Sequence, residues 1–313
     1  GMSGIAEVAL NLGHQVSGSD IKKTEVTQRL KELGAKIYIG HKAENVKNVD
    51  VVVTSTAISK DNPEVKQAIK EKIIIIPRIE MLAELARLKY TITIAGTHGK
   101  TTTTSMTSMI LDEGGFDPTI VIGGKLKNLK TNARLGKGEY IIAEADESDG
   151  SFLKLSPVLT IVTNIDNDHL DYYGSMDNLK QAFIKHINSL PFYGCAMVCT
   201  DSPLVKEVLP YATRKYITYG FKGNPDITAT DITVVNGNTE YTVIYKGKKL
   251  GKILLKVPGE HNVLNSLAAI GIGLQFDIPF VTIKDALFKF GGVGRRLEVK
   301  GEKNGITVID DYG

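Results

Sequence analysis

The stretch Gly96-Thr97-His98-Gly99-Lys100-Thr101 lies between an apolar, β-rich run, Tyr90 to Ala95, and a helical pattern through 105–111. A strand that feeds a glycine loop at the head of a helix restricts the chain to folds built from strand–loop–helix units on a parallel sheet. In such a loop the backbone N–H groups at the helix N-terminus surround phosphate oxygens, the lysine supplies a point charge and the hydroxyl ligates Mg²⁺. The spacing is shorter than the usual G-x-x-x-x-G-K-[ST], because the position five before Gly99 is Ile94. Thr101, Thr102, Thr103 and Thr104 are poor helix formers in succession, which predicts that their hydroxyls serve as ligands rather than for helix stability. A loop that handles Mg-ATP needs carboxylates at neighbouring strand ends. Two clusters qualify: Glu144, Asp146, Glu147 and Asp149 after the strand pattern at 140–145, and Asp166, Asp168 and His169 after the one at 159–165.

The rest of the chain carries the pattern this unit requires. Up to about residue 88, helix and strand patterns alternate: a helix with Ile5, Val8, Ala9 and Leu12, a strand at 15–18, a helix at 25–33, strands at 35–39 and 51–55, a helix at 63–72, the IIII strand and a helix at 80–89. Such alternation implies a parallel sheet. Beyond the phosphate loop, buried-strand patterns at 140–145, 159–165 and 196–200 and a helix at 178–188 continue the theme. From 227 to 257, Thr, Val, Ile and Tyr alternate around Asn236-Gly237 and Lys246-Gly247-Lys248, predicting antiparallel hairpins that form a β annex. GEHNVLNSLAAIGIGLQF reads as a buried helix and 297–313 as a hairpin that begins a further unit.

Charge and cysteine content narrow the function classes. Against 38 basic side chains stand 35 acidic ones, a net +3, so no basic excess points to nucleic acid or an anionic membrane. Apolar runs such as Ile73 to Ile76 fall far short of the roughly 18 residues of a membrane span. Cys195 and Cys199 share one face of a strand with no Cys or His cluster beside them, which predicts buried free thiols in a reducing cytoplasm. The opening GMSGIAEVALNLGHQVSGSD lacks the regions of a signal peptide in their required order. It reads as a glycine turn, a helix and a strand ending in Asp20, the second half of a βαβ nucleotide-binding unit whose first strand is absent.

GTHGKTTTT, EADESDGSF, NIDNDHLDYYG, GEHNVLNSLAA, GVGRRLE and DDYG, in this order, resemble the Mur ligases over essentially the whole chain. The resemblance implies an α/β protein: an incomplete Rossmann-like domain at 1–88, a P-loop-type ATPase domain with a small antiparallel β annex at 89–294, and the start of a third α/β domain at 295–313. It implies a cytoplasmic, ATP-dependent ligase of peptidoglycan precursor synthesis that joins L-alanine to the carboxylate of UDP-N-acetylmuramate through an acyl phosphate. On this reading Gly96, Thr97, His98, Gly99, Lys100 and Thr101 cradle the ATP phosphates, and Lys100 stabilises the transferring phosphoryl group. Thr101 and Glu144 hold one Mg²⁺ and His169 a second. Asn265 reads adenine, and Arg296 and Asp311 contact ATP. Gly1 and Gly4 face the UDP pyrophosphate, Asp20 the ribose, and Ser55 is a further nucleotide contact. His98 faces the muramate end and Tyr312 the incoming amino acid. No residue stands out as the carbamylated lysine that other Mur ligases use beside the second metal. The family's opening strand and most of its third domain are missing, so the expectation is a chain truncated at both ends and inactive alone. Two alternatives stay open: a ligase that recycles a ready-made peptide onto the same UDP sugar, and a nucleotide-binding fragment without turnover.

Overall fold

The computed structural model describes residues 2–55, 57–122, 133–235, 237–293, 298–303 and 306–310. The first part of the chain contains α1 (Met2–Asn11), β1 (Ser17–Asp20), α2 (Glu25–Glu32), β2 (Lys36–Ile39), a 3-10 turn at Ala43–Val46, β3 (Val51–Thr54), α3 (Pro63–Lys70), β4 (Ile74–Pro77) and α4 (Arg78–Ala86). Local chemistry starts these helices where they start. Thr24 caps α2 in a reciprocal pair with Thr27, and Asn62 caps α3 ahead of Pro63 at its first position. The strands pair in parallel, β1 with β2 and β3 with β4. Where alternation implied one sheet, the described strands form two separate two-stranded sheets. The opening also differs from expectation. Gly4 lies buried inside α1 rather than in a turn, because burying Ile5, Val8 and Ala9 on one face outweighs the roughly 1 kcal/mol a helical glycine costs.

The second part is organised on one sheet. Its elements are β5 (Tyr90–Ala95), α5 (Lys100–Glu113), β6 (Thr119–Val121), β7 (Ala133–Arg134), β8 (Tyr140–Glu144), β9 (Pro157–Val162), α6 (Leu170–Tyr173), α7 (Met176–Asn188), β10 (Cys195–Cys199), α8 (Pro203–Val208), β11 (Tyr216–Tyr219), β12 (Ile227–Val235), β13 (Asn238–Tyr245), β14 (Lys248–Leu255), α9 (Glu260–Gln275) and α10 (Phe280–Phe288). The strand order is β14-β13-β12-β11-β10-β9-β5-β8-β6-β7. Neighbours from β11 to β6 run parallel, whereas β12 to β14 form antiparallel hairpins and β7 closes the other edge antiparallel. The expected β annex is therefore no separate layer, since β12 joins β11 through Tyr219 and Ile227 and extends the main sheet. An antiparallel hairpin, β15 (Glu298–Lys303) with β16 (Ile306–Asp310), follows.

Period-two alternation divides the core between the two faces of this sheet. Cys195, Met197 and Cys199 point to the face covered by α5, α9 and α10, and Ala196 and Val198 to the face covered by α7 and α8. Both thiols are free and buried, as their spacing predicted. Ile5 and Val8 of α1 and Ile79, Leu82 and Leu85 of α4 belong to the second of these cores, together with Phe152 and Phe183. The helices that bracket the first part of the chain thus lie against the main sheet.

Candidate functional site

β9, β5 and β8 are adjacent in the sheet, so the loops that leave their carboxyl ends share one crevice, the place where parallel α/β sheets bind ligands. The loop after β5 is the glycine loop. Gly96 has φ +124°, and a Cβ there would collide with the Thr163 hydroxyl and lie 2.7 Å from the Asn164 carbonyl. Gly99 has φ +83°, and a Cβ on it would lie 2.5 Å from Asn265 Oδ1. Positive φ and these close approaches together admit only glycine at both positions. The N–H groups of Thr97 and His98 donate to the Asn164 carbonyl (3.2 Å) and carboxamide oxygen (2.8 Å). Of the six loop residues expected to surround phosphate, two therefore face β9. The N–H groups of the first residues from Gly99 onward begin α5 and have no carbonyl one turn earlier to bond, an arrangement that can receive an anion.

The threonine run also departs from expectation. Thr103 and Thr104 are fully buried; Thr103 donates to Asn265 Oδ1 at 3.2 Å and Thr104 to the Lys100 carbonyl at 2.8 Å. Both hydroxyls are satisfied inside the protein, that of Thr103 across to α9 and that of Thr104 within α5, whereas Thr101 and Thr102 stand half-buried at the head of the helix. Asn265 is brought to the loop, with its carboxamide beneath Gly99.

The acidic loop after β8 holds the partner of Lys100. Lys100 Nζ donates to both Glu147 carboxylate oxygens (2.9 and 3.1 Å) and to the carbonyls of Gly96 (2.6 Å) and Thr97 (3.2 Å). Glu147 is 1% exposed. Desolvation pushes its carboxyl above the usual range, against the downward pull of Lys100. His169 Nε2 stands 3.8 Å from Glu147 Oε1 and 3.7 Å from Asp168 Oδ2, and His169 has φ +58°, a left-handed backbone that costs a non-glycine residue on the order of 1 kcal/mol and clusters at functional sites. The Tyr173 hydroxyl donates to the Glu147 carbonyl at 2.5 Å. Glu144, singled out for the metal, ends β8 half-buried opposite Ile94. Sequence reasoning placed Glu147 in the acidic cluster but gave it no role of its own; its signal was the turn Ser148-Asp149-Gly150, which bends the chain back toward the crevice through Gly150 at φ +65°.

The other carboxylates have local duties. Asp146 accepts from the Ser148 N–H at 3.1 Å and lies 3.9 Å from Arg78. Desolvation would raise its carboxyl, but the Ser148 bonds with Lys100 and Arg78 bring it below the usual range. Asp166 and Asp168 accept from the N–H groups that follow them. His98 is largely exposed, with Nε2 3.9 Å from Asp166. Among the described residues no three His, Cys, Asp or Glu side chains form a ready-made metal cage.

Residues 94–273 match the Mur ligase middle domain, and residues 1–90 match the Mur ligase family catalytic domain. The chain belongs to the Mur ligase family. It is 66% identical over its whole length to the UDP-N-acetylmuramate–L-alanine ligase of Endomicrobium trichonymphae, spanning 70% of that protein. Among solved structures, the UDP-N-acetylmuramate-alanine ligase of Thermotoga maritima superposes with a TM-score of 0.88 at 32% identity, covering all of this chain and 71% of that one. The UDP-N-acetylmuramate:L-alanyl-gamma-D-glutamyl-meso-diaminopimelate ligase of Neisseria meningitides gives 0.84 at 25% identity, over 94% of this chain and 96% of that one.

In this Mur ligase Asp20 and Ser55 stand apart from the glycine loop, at the ends of strands outside the main sheet. Asp20 ends β1 and Ser55 follows β3, both at carboxyl ends of parallel strands. Beside Asp20, a polar cluster missed by sequence reasoning joins β1 to α3: Ser19 Oγ donates to Glu64 at 2.7 Å and meets His41 Nδ1 at 2.9 Å, while Asn45 donates to Glu64 at 2.6 Å. Desolvation would raise the Glu64 carboxyl, but these bonds hold it below the usual range. The residues concerned lie up to 45 positions apart, so no local motif marked them. Gly1, Arg296, Asp311 and Tyr312 lie outside the described residues. No described helix is long and apolar enough to cross a membrane.

Proposed function

We propose that the chain is the ATP-dependent ligase that joins L-alanine to the carboxylate of UDP-N-acetylmuramate, in the bacterial cytoplasm, in peptidoglycan precursor synthesis. The observation that carries the chemistry is the position of Lys100, held at the head of α5 by two loop carbonyls and a buried carboxylate. The 66% identity to the Endomicrobium ligase supports the choice of substrates. In this reading the first domain (1–88) takes the UDP moiety, with Asp20 toward the ribose and Ser55 as a nucleotide contact. The central domain (89–294) takes ATP, and 295–313 begins a third.

Transfer of the γ-phosphoryl group of ATP to the muramate carboxylate breaks its bond to ADP, which leaves, and gives an acyl phosphate; the alanine amine adds to the acyl carbonyl and loses a proton, and phosphate leaves as the amide forms. The protein contributes orientation and charge. The N–H groups from Gly99 onward bind the phosphate oxygens, and Lys100 turns from Glu147 to the group in transfer. Thr101, Glu147 and His169 would hold Mg²⁺, with Glu144 as a further carboxylate. Mg²⁺ supplies charge neutralisation on the phosphates. The oxygen donors suit a hard cation, and a cation beside Glu147 would keep that buried carboxylate ionised after Lys100 leaves it.

The test is Lys100→Ala in the ligase. Product formation from ATP, L-alanine and UDP-N-acetylmuramate should fall by about 100-fold or more, with UDP-sugar binding measured by calorimetry unchanged. Undiminished product formation would remove Lys100 from the chemistry.

A further inference from the structure

We infer that Asn164, in the loop after β9, is a positioning residue that presets the phosphate loop for ATP. The inference rests on the reading of residues 96 to 101 as that loop. The Asn164 carboxamide pairs with both backbone groups of His98: Oδ1 accepts the His98 N–H at 2.8 Å and Nδ2 donates to the His98 carbonyl at 3.0 Å. The Asn164 backbone carbonyl adds the Thr97 N–H at 3.2 Å. One residue thereby supplies the hydrogen bonds that a neighbouring strand would give, at the point where β5 has ended and the loop has no strand beside it.

The surrounding contacts make this pairing directional. The Thr163 hydroxyl donates to the His98 carbonyl at 2.6 Å and the Asp166 N–H donates to Thr97 Oγ1 at 3.0 Å, so Thr97 and His98 are bound along one side to the β9 loop. Gly99 then turns at φ +83° over Asn265, and α5 begins. With the two preceding peptides anchored, the following N–H groups are aimed before ATP arrives, and binding does not have to order the loop. Asn164 has this effect without contacting the reacting atoms. Its chain neighbour Ile165 is 3% exposed, which ties Asn164 to the core beneath the sheet's carboxyl edge.

Two substitutions in the ligase test the assignment. Asn164→Ala removes both side-chain bonds; Asn164→Asp keeps the acceptor, loses the donor and adds a negative charge beside the phosphates. Mg-ATP affinity, measured by calorimetry, should fall roughly 10-fold or more for Asn164→Ala and further for Asn164→Asp. UDP-N-acetylmuramate affinity and the unfolding midpoint should stay at their unsubstituted values. Hydrogen exchange of the His98 amide, followed by NMR, should accelerate in Asn164→Ala. Mg-ATP affinity within two-fold of the unsubstituted protein would overturn the assignment, as would unchanged His98 exchange. Parallel loss of both ligands with a lowered midpoint would also overturn it, by showing general structural damage. Failure of the unsubstituted protein to bind Mg-ATP would instead overturn the ATP-ligase reading, and the role of Asn164 with it.

Discussion

At single residues, the same side-chain type takes opposite roles according to what packs on it. His169 occupies a left-handed backbone beside a buried carboxylate, whereas His186 is fully buried under the sheet. Its Nε2 lies within 2.9 Å of the Thr160 hydroxyl and 3.3 Å of that of Thr93, and its Nδ1 has no hydrogen-bond partner among the described residues. Protonation would bury an uncompensated charge, so desolvation lowers its pKa to about 4. In the unfolded chain a histidine titrates near 6.5. Between these values the unfolded state binds a proton that the folded state does not, so the contribution is fully present above about pH 6.5 and is lost as the pH falls toward 4. The loss approaches about 3 kcal/mol. Urea unfolding at pH 7 and pH 5 should show this decline, and His186→Gln should flatten it; equal slopes for both proteins would contradict the assignment. Glu147 teaches the same lesson at the site. Its letter was visible among four acids, but its pairing with Lys100 came from a turn that brings residue 147 back 47 positions to the loop.

At the level of elements, α5 shows where local propensity misled. Four threonines weaken an isolated helix, yet α5 runs from Lys100 to Glu113 because α9 and the sheet bury one side of it. Thr103 serves that packing through its bond to Asn265. Thr103→Val should therefore destabilise the protein by about 1 kcal/mol, leaving a buried amide oxygen without its donor. Thr102→Val, at a half-buried position, should change stability by less than about 0.5 kcal/mol. Denaturant unfolding of the two variants distinguishes them. The strand patterns of the central unit were legible in the sequence because strands buried on both faces are nearly continuous apolar runs. Several elements escaped: β6, β7, β11 and α8, which span 2 to 6 residues, and the nine-residue α10.

Across the whole molecule, α1 and α4 pack into the core of the central sheet, and Arg78 and Lys154 carry ion pairs between α4 and the loops after β8. These exposed pairs contribute little to stability; the shared apolar core is the larger coupling. Leu82 is 4% exposed, and Leu82→Ala should cost about 2–5 kcal/mol. Hydrogen exchange should then show lower protection in α4 and β8 together, as one cooperative unit; loss confined to α4 would refute the coupling. Sequence was sufficient for the family, the parallel α/β architecture, the glycine loop between β5 and α5 and the two acidic loops, because each is written in contiguous residues whose spacing follows helix and strand periods or turn chemistry. It could not rank the carboxylates, find the Ser19–His41–Glu64 cluster, place Asn164 against His98 or join the hairpins to the main sheet. Those features depend on strand order. β5 lies between β8 and β9 only after the chain has folded, and distances between side chains on different strands carry no trace in the spacing along any one of them.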